Sequence, residues 1–168
     1  MSSPYYGKFR GVVVSNADTT GRGRIQVSVS DVAPDNITDW AEPCIPFAGR
    51  QAGMWCVPDI GASVWVEYEQ GDPNRPIWAG CRWGDTSEAP SLATGTPAPI
   101  SHVVIQTSGQ NTIMISDAPG PAGGILLKSN SGGTITINDT GITITNGTAS
   151  IALQGASVMI NNNALVVT

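Results

Sequence analysis

Short alternations of apolar and polar residues run along the first half of the chain and predict β-strands rather than helices. An opening strand is predicted over residues 9–15, and a turn over residues 71–76 separates the last two strands. The other alternations fall at Ile25–Val29, Val64–Tyr68 and Ile77–Cys81. About five short strands around an irregular stretch from Asp31 to Asp59 favour a small closed barrel, because closure leaves no exposed sheet edge.

The second half of the chain is a repeat, in which two aliphatic residues separated by one other residue recur eight times. Small polar residues such as those at 130–133 and 138–141 lie between the pairs, so each unit is predicted to be a short strand followed by a tight turn. The pairs are Val103 and Ile105, Ile113 and Ile115, Ile125 and Leu127, Ile135 and Ile137, Ile142 and Ile144, Ile151 and Leu153, Val158 and Ile160, and Leu165 and Val167.

These strands cannot bury their aliphatic side chains alone, because the repeat contains no aromatic residue and no predicted helix to cover them. Stacked strands share an apolar face along an axis. Units of seven to ten residues are short for a three-sided coil of one chain, so we expect three chains, each supplying a strand to one face after another. Eight layers of strands would give roughly 38 Å of shaft at about 4.7 Å per layer.

The first seven pairs, from Val103 to Ile160, are the predicted trimer core of this prism. The last strand would leave unpaired backbone edges and aliphatic side chains at its end, which is an association-prone surface. We therefore expect a separate small protein to bind there, at Leu165, Val166, Val167 and Thr168.

Aromatic and charged residues divide the chain at the same place as the repeat. All ten aromatic residues lie in the first 83 positions, and residues 91–168 carry only three charged side chains. Residues 87–99 are rich in Pro, Ala and Thr, which favours an extended, semi-rigid linker. The predicted organisation is a barrel domain over residues 1–86, a linker or neck over 87–100 and a shaft over 101–168.

Charge and cysteine content narrow the classes of function. The net charge of −5 argues against nucleic acid or anionic lipid as the main partner. The first residues lack the continuous apolar stretch of a signal peptide, so we expect a protein made inside the cell and not exported by that route. Cys44, Cys56 and Cys81 are odd in number and widely spaced, so we expect buried thiols rather than disulfides.

The residues considered for catalysis and for metal binding support neither catalysis nor a metal site. Glu67 and Glu69 form a tight carboxylate pair, but neighbours on one strand face do not oppose each other across a cleft as a glycosidase requires. His102 is expected to face solvent or a carbonyl group. The cysteines lack the spacing of a zinc site. We expect no enzyme activity, no metal and no cofactor.

Four segments of the first half resemble a known family in their order and composition. They are Gly21-Arg-Gly-Arg-Ile-Gln-Val27, Trp40-Ala-Glu-Pro-Cys-Ile-Pro46, Pro58-Asp-Ile-Gly-Ala-Ser-Val-Trp-Val66 and Tyr68-Glu-Gln-Gly-Asp-Pro-Asn-Arg-Pro-Ile-Trp-Ala-Gly80. Together they resemble, over about residues 8–84, the OB-fold of baseplate assembly protein V, the central spike of contractile phage tails that is shared with the VgrG spikes of type VI secretion.

The resemblance implies an all-β protein, in which a five-stranded OB-fold barrel precedes an intertwined triple-stranded β-helix. It also implies a homotrimeric needle that docks under the baseplate hub and pierces the outer membrane of the target cell. The segment from Asp31 to Asp59 is the candidate for contact with the hub. The protein would be assembled in the bacterial cytoplasm and reside in a virion tail baseplate or at the tip of an injection particle.

One departure from the family concerns the distal tip. Some phage spikes end in a His-x-His pair that binds iron, whereas residues 161–168 contain no plausible ligand set. A metal tip is therefore not expected, and the resemblance instead implies a small PAAR-like tip protein at the C-terminal end.

Two alternatives remain open from the sequence. One is an OB module that binds oligosaccharide or nucleic acid and carries a β-repeat stalk, although the acidic balance does not suit a nucleic-acid groove. The other is a receptor-binding tail fibre, which would need aromatic or charged residues at its distal end.

Overall fold

A computed structural model describes residues 4–34, 36–162 and 164–167 of the chain. The chain divides into two compact units, residues 1–84 and residues 85–168. Strands dominate both units, and the predicted all-β class is confirmed. Within the described ranges, no helix combines the length and the hydropathy needed to cross a bilayer.

The first unit is a small barrel closed by two bridges. Its strands are β1 (Phe9–Ser15), β2 (Gln26–Ser28), β3 (Glu42–Pro43), β4 (Ala48–Gly49), β5 (Ala52–Gly53), β6 (Ser63–Tyr68) and β7 (Pro76–Cys81), with a 3₁₀ turn at Glu69–Gly71. Five of them form a sheet in the order β2-β1-β6-β7-β3, and β4 pairs with β5 in a separate hairpin. Isolated bridges from Ile25 to Ala41 and from Ser28 to Ile37 join the two edges. This confirms the predicted five-stranded OB barrel.

Alternate residues of these strands fill the barrel with apolar side chains. The buried core consists of Val13, Ile25, Val27, Val29, Ala41, Val64, Val66, Tyr68 and Trp78. On β7 the buried positions are Pro76 and Trp78, while Ile77 is only half-buried. The indole Nε1 of Trp78 donates a hydrogen bond of 3.1 Å to the carbonyl oxygen of Gly23, so this buried N–H is satisfied.

The prediction of buried thiols is wrong, since Cys44, Cys56 and Cys81 are all exposed. Cys44 follows the two-residue strand β3, and Cys56 lies between strands, so neither belongs to an alternating core face. Cys81 ends β7 opposite a bulge of β6, where the register shifts between Val64 and Val66. Partial desolvation nevertheless raises the pKa of the Cys81 thiol above its usual value.

The second unit is one antiparallel sheet of eight strands. The unit contains a one-turn helix α1 (Ser91–Thr94) and a 3₁₀ turn (Gly120–Ala122), and its strands are β8 (His102–Gln106), β9 (Thr112–Ser116), β10 (Gly124–Lys128), β11 (Thr134–Asn138), β12 (Gly141–Thr145), β13 (Ser150–Gln154), β14 (Ser157–Ile160) and β15 (Leu165–Val167). Each strand pairs with its neighbours in sequence, so the sheet is a meander from β8 to β15.

This meander corrects the expected path of the chain in the second unit. The intertwined arrangement required each strand to pass to a different face, whereas consecutive strands here pair with one another in the same chain. The reason is the length of the turns. Two residues connect β11 to β12 and β13 to β14, and a connection of two residues returns the chain directly alongside the preceding strand.

The segment before β8 also differs from the expected extended linker, because it contains the helical turn α1. The carbonyl oxygen of Pro90 accepts hydrogen bonds from the backbone N–H groups of Ala93 (2.9 Å) and Thr94 (3.1 Å). The N–H of Gly95 continues the turn with a bond of 2.8 Å to the carbonyl oxygen of Ser91.

Candidate trimerisation surface

The strand register brings all eight aliphatic pairs onto one face of the second sheet. Residues that face each other across an antiparallel ladder point to the same side, and residues two apart on a strand do so as well. The pairing therefore forms two continuous columns. One column is Val103, Ile115, Ile125, Ile137, Ile142, Leu153, Val158 and Val167, and the other is Ile105, Ile113, Leu127, Ile135, Ile144, Ile151, Ile160 and Leu165. We call these sixteen residues the apolar face.

The apolar face is open to solvent in the single chain. Thirteen of its side chains are exposed, from 37% for Val158 to 62% for Ile105, and the remaining three are half-buried. Within the described part of the second unit, only Thr112 and Ser116 are fully buried, and neither is apolar. A contiguous aliphatic surface of this kind marks an interaction site.

The second face of the sheet carries the intervening residues and is more polar. Helix α1 lies on this side, where Leu92 lines a groove together with Met114 and Leu126. Towards β15 the central positions are Thr136, Thr143, Ala152, Met159 and Val166. Lys128 is the one Asp, Glu, Lys or Arg among the residues of β8–β15.

The four residues predicted to bind a tip protein do not share one face. Leu165 and Val167 continue the two columns of the apolar face, whereas Val166 pairs with Met159 on the second face. All three side chains are exposed. Thr168 lies outside the described residues.

Asparagine side chains form hydrogen bonds between neighbouring turns of the sheet. Asn111 Oδ1 accepts a hydrogen bond of 3.1 Å from the N–H of Asn130, and Asn161 Oδ1 accepts one of 2.9 Å from the N–H of Ser150. Gly141 begins β12 with a φ of +137°, and a Cβ atom there would collide with the carbonyl oxygen of Leu153. These contacts fix the register on which the two columns depend.

The residues considered for chemistry do not form an active site. Glu67 pairs with Lys8, while Glu69 lies in the 3₁₀ turn and pairs with Arg75 at 2.7 Å, so the two carboxylates belong to separate exposed ion pairs. His102 Nδ1 lies 3.0 Å from the carbonyl oxygen of Ile100. Among the described residues, no group of three or more His, Cys, Asp or Glu side chains could hold a metal ion.

The most perturbed carboxylate has a structural role in the barrel. The side chain of Asp18 is 4% exposed, and its carboxylate accepts hydrogen bonds from the Arg24 guanidinium (2.8 Å) and from the N–H groups of Thr20 (3.0 Å) and Arg22 (2.9 Å). The Arg24 side chain, followed by the hydrogen bonds from Thr20 and Arg22, holds the pKa of Asp18 far below its usual range. Asp18 therefore fixes the turn that leads into β2.

An exposed apolar cluster lies within the segment from Asp31 to Asp59. Phe47, Met54 and Trp55 flank the hairpin of β4 and β5, and their side chains are exposed. The N–H of Met54 donates a hydrogen bond of 3.3 Å to the carbonyl oxygen of Phe47, which closes the hairpin. We call these three residues the hairpin patch.

Comparison with known proteins assigns both units. Residues 9–83 match the family described as the type VI secretion system/phage-baseplate injector OB domain, and residues 102–166 match the phage baseplate V C-terminal trimerisation domain. A curated relative is the type VI secretion system spike protein VgrG5 of Pseudomonas aeruginosa, which is 27% identical over 77 residues. That alignment covers 45% of this chain and 10% of the relative, so the chain spans only a small part of that protein.

The matched trimerisation domain coincides with the strands that carry the apolar face. Both matched families are structural parts of baseplates and spikes rather than enzymes. The first unit, with its closed core, thus corresponds to the OB domain. The second unit, with its uncovered apolar face, corresponds to the trimerisation domain. The chain belongs to the baseplate V family of phage-tail and injection-system spikes, as a trimerising structural component related to VgrG.

Proposed function

We propose that three copies of the chain form the walls of a three-sided prism and that this prism is the needle of the injection machine. Each wall is the eight-stranded sheet of one copy, with its apolar face directed inward. The trimer core then contains the fourteen aliphatic residues from Val103 to Ile160, and the pair Leu165 and Val167 lies at the distal end. The observation that carries this proposal is the pair of continuous, exposed aliphatic columns.

The energy of burial supports this arrangement. Full burial of an aliphatic side chain contributes about 1.5–3 kcal/mol, so covering a half-exposed one contributes on the order of 1 kcal/mol. Sixteen such side chains in each of three copies offset the entropy lost when the chains associate. The second face stays in water, where its Ser, Thr, Asn and Gln side chains keep the trimer soluble.

The mass in solution tests the assembly directly. Light scattering should give three times the chain mass of 17.4 kDa, and electron microscopy should show rods. A monomer at every concentration would contradict the needle. It would favour the alternative of an OB module that binds oligosaccharide or nucleic acid and carries a β-repeat stalk.

Two adjacent residues of β11 provide a matched pair of variants. Ile135→Asp places a charge on the apolar face and should abolish the trimer, because the prism interior would hold three unpaired carboxylates. Thr136→Asp places the same charge on the second face and should leave the trimer mass unchanged. Equal behaviour of the two variants would show that the apolar face is not the interface.

The proposed needle pierces the outer membrane of the target cell, and the composition of the second face supports this step. An ionised side chain inside a bilayer costs roughly 2.5–3.5 kcal/mol or more, and Lys128 is the one such residue among the shaft strands. Thr136→Asp or Thr143→Asp should therefore form trimers yet lower delivery into target cells. Unchanged delivery by these variants would count against passage through the bilayer.

The OB unit is proposed to dock under the baseplate hub through the hairpin patch. Exposed aromatic side chains are frequent anchors of protein interfaces, and Phe47, Met54 and Trp55 have no core role in the barrel. Trp55→Ser should reduce the amount of hub protein that co-purifies with the spike. Trp83→Ser, at another exposed tryptophan of the same unit, is the control and should not.

A PAAR-like protein is proposed to cap the distal end after assembly in the bacterial cytoplasm. Strand β15 is an edge of the described sheet, and Leu165, Val166 and Val167 are exposed there. Val166→Asp, which places the charge on the second face, should lower binding of the cap without changing the mass of the trimer. A purified spike whose end-on structure shows a tapered, self-closed apex would contradict this part of the proposal.

A further inference from the structure

A groove on the outside of the barrel gathers cationic side chains in an otherwise acidic chain. Its lining includes an indole, an exposed valine and a single carboxylate. The residues that matter here are Lys8, Arg10, Val12, Asp31, Trp65 and Arg82. We call this the Arg10 groove. Sequence inspection does not reveal it, because its residues come from four separate parts of the first unit.

Strand pairing explains how the groove is built. Arg10 lies directly opposite Trp65 in the ladder between β1 and β6. The neighbours of Trp65 on its strand, Val64 and Val66, are fully buried in the core, so Trp65 and Arg10 face outward. The N–H of Arg82 donates a hydrogen bond of 3.0 Å to the carbonyl oxygen of Ser63, which holds Arg82 beside the start of β6.

Two of the three cations in the groove have no carboxylate partner. Lys8 pairs with Glu67, but no Asp or Glu among the described residues lies within ion-pair distance of Arg10 or Arg82. Moreover, the Nε atom of Arg82 is buried and meets no hydrogen-bond acceptor in the described chain. A buried N–H group without an acceptor costs free energy, so binding an external acceptor there is favourable.

The charge of the groove matches a single carboxylate. Lys8, Arg10 and Arg82 together with Glu67 and Asp31 leave one net positive charge. A polyphosphate or nucleic acid would approach Asp31 and a chain of net charge −5, which opposes its binding. A guanidinium group, by contrast, binds a carboxylate through two parallel hydrogen bonds.

We propose that the Arg10 groove binds an acidic segment of another protein of the assembly. One Asp or Glu carboxylate of that segment lies between the guanidinium groups of Arg10 and Arg82, and an adjacent apolar side chain packs on Trp65 and Val12. The inference rests on the proposed function in one respect, namely that the OB unit has a protein neighbour in the assembled machine. It does not depend on the prism or on membrane piercing.

Photo-crosslinking in the assembled particle tests the occupant. p-Benzoylphenylalanine placed at position 12 should link to a segment of another protein, and mass spectrometry should find an Asp or Glu in that segment. Arg10→Gln or Arg82→Gln should lower the yield of this cross-link about tenfold or more, as expected for loss of a charge-assisted hydrogen bond. Lys128→Gln, at an exposed cation of the second unit without an ion pair in the described chain, is the control and should leave the yield unchanged.

Several outcomes would overturn the inference. One is a cross-link to a second copy of this chain, to lipid, to glycan or to nucleic acid. The others are the absence of any cross-link and a yield that is the same in the arginine variants as in the unaltered chain. Arg10 is exposed, so Arg10→Gln carries the test if Arg82→Gln disturbs the barrel. Measuring the mass of the trimer distinguishes a failure of this inference from a failure of the proposed function. The arginine variants should remain trimeric whether or not the groove is occupied.

Discussion

The two units of the chain use the same secondary structure but differ in where their apolar side chains lie. Among its described residues, the barrel has a hydrophobic core of nine buried side chains, each at most 6% exposed. The described part of the shaft buries only Thr112 and Ser116, and it leaves two columns of aliphatic side chains open to solvent. A sheet that closes on itself supplies its own core, whereas a sheet that stays open needs the same face of another molecule.

The difference follows from the connections between strands. In the barrel, bridges such as Ile25 to Ala41 join the two edges of the sheet and enclose the core. In the shaft, every connection returns the chain to the adjacent position, so the sheet grows along one direction and its edges do not meet. Four predictions test this contrast, in order of decreasing effect.

Separating the units should have the largest effect. Residues 1–84 alone should remain a folded monomer with an unfolding midpoint that does not depend on protein concentration. Residues 85–168 alone should unfold on dilution, and their midpoint should rise with concentration, because association stabilises the folded chain. Circular dichroism during thermal unfolding at several concentrations measures both. A fragment of residues 85–168 that stays folded as a monomer would show that the second unit, like the barrel, does not need association to fold.

Gly141→Ala should destabilise the shaft by about 4 kcal/mol or more per chain, because the new Cβ would collide with the carbonyl oxygen of Leu153. The matched control is Gly147→Ala, which also has a positive φ but has nothing within 4 Å of the new Cβ, and it should cost about 1 kcal/mol. Thermal unfolding of the trimer measures both variants. A similar loss in the two would mean that close packing at Gly141 does not set the register.

Ile25→Ala should destabilise only the barrel, by about 3 kcal/mol, because it leaves a cavity in a core that the unit fills by itself. Scanning calorimetry of the full chain should show one transition moving to a lower temperature while the shaft transition stays in place. A shift of both transitions would show that the two units unfold together.

Asp18→Asn should have the smallest effect, and that effect should depend on pH. The pKa of Asp18 is far lower in the folded barrel than its value of about 3.9 in an unfolded chain. The stabilisation is therefore complete above about pH 4 and decreases as the pH falls further towards the folded pKa. Denaturant unfolding of residues 1–84 should show a deficit for the variant at pH 7 that narrows at pH 3. Asp39→Asn, which removes an exposed carboxylate of the same unit, is the matched control for the loss of one negative charge.

Alternation predicts the sides of most strands in both units, although on β7 it favours Ile77 where the structure buries Trp78. It identified Val64, Val66 and the sixteen residues of the apolar face, because alternate positions on a strand share a side. The order of strand pairing was not predicted, since the same alternation fits strands that pass between chains. The two-residue connections, at 139–140 and 155–156, were the signal that distinguishes a meander.

Other features could not be predicted because they depend on distant parts of the chain. The exposure of Cys44, Cys56 and Cys81 follows from where the short strands end, which composition does not reveal. Val166 was grouped with Leu165 and Val167 by sequence proximity, although alternation places it on the opposite side. The Arg10 groove depends on the pairing of β1 with β6, which brings Arg10 next to Trp65.

The meander also determines how the protein can be made. Because every ladder joins consecutive strands, loop closure between them costs little entropy, and a chain of such local pairings folds quickly. In the proposed prism, three copies need no threading through one another, because every ladder lies within one chain. Newly made subunits can then be recruited from a common pool rather than only from a single polysome.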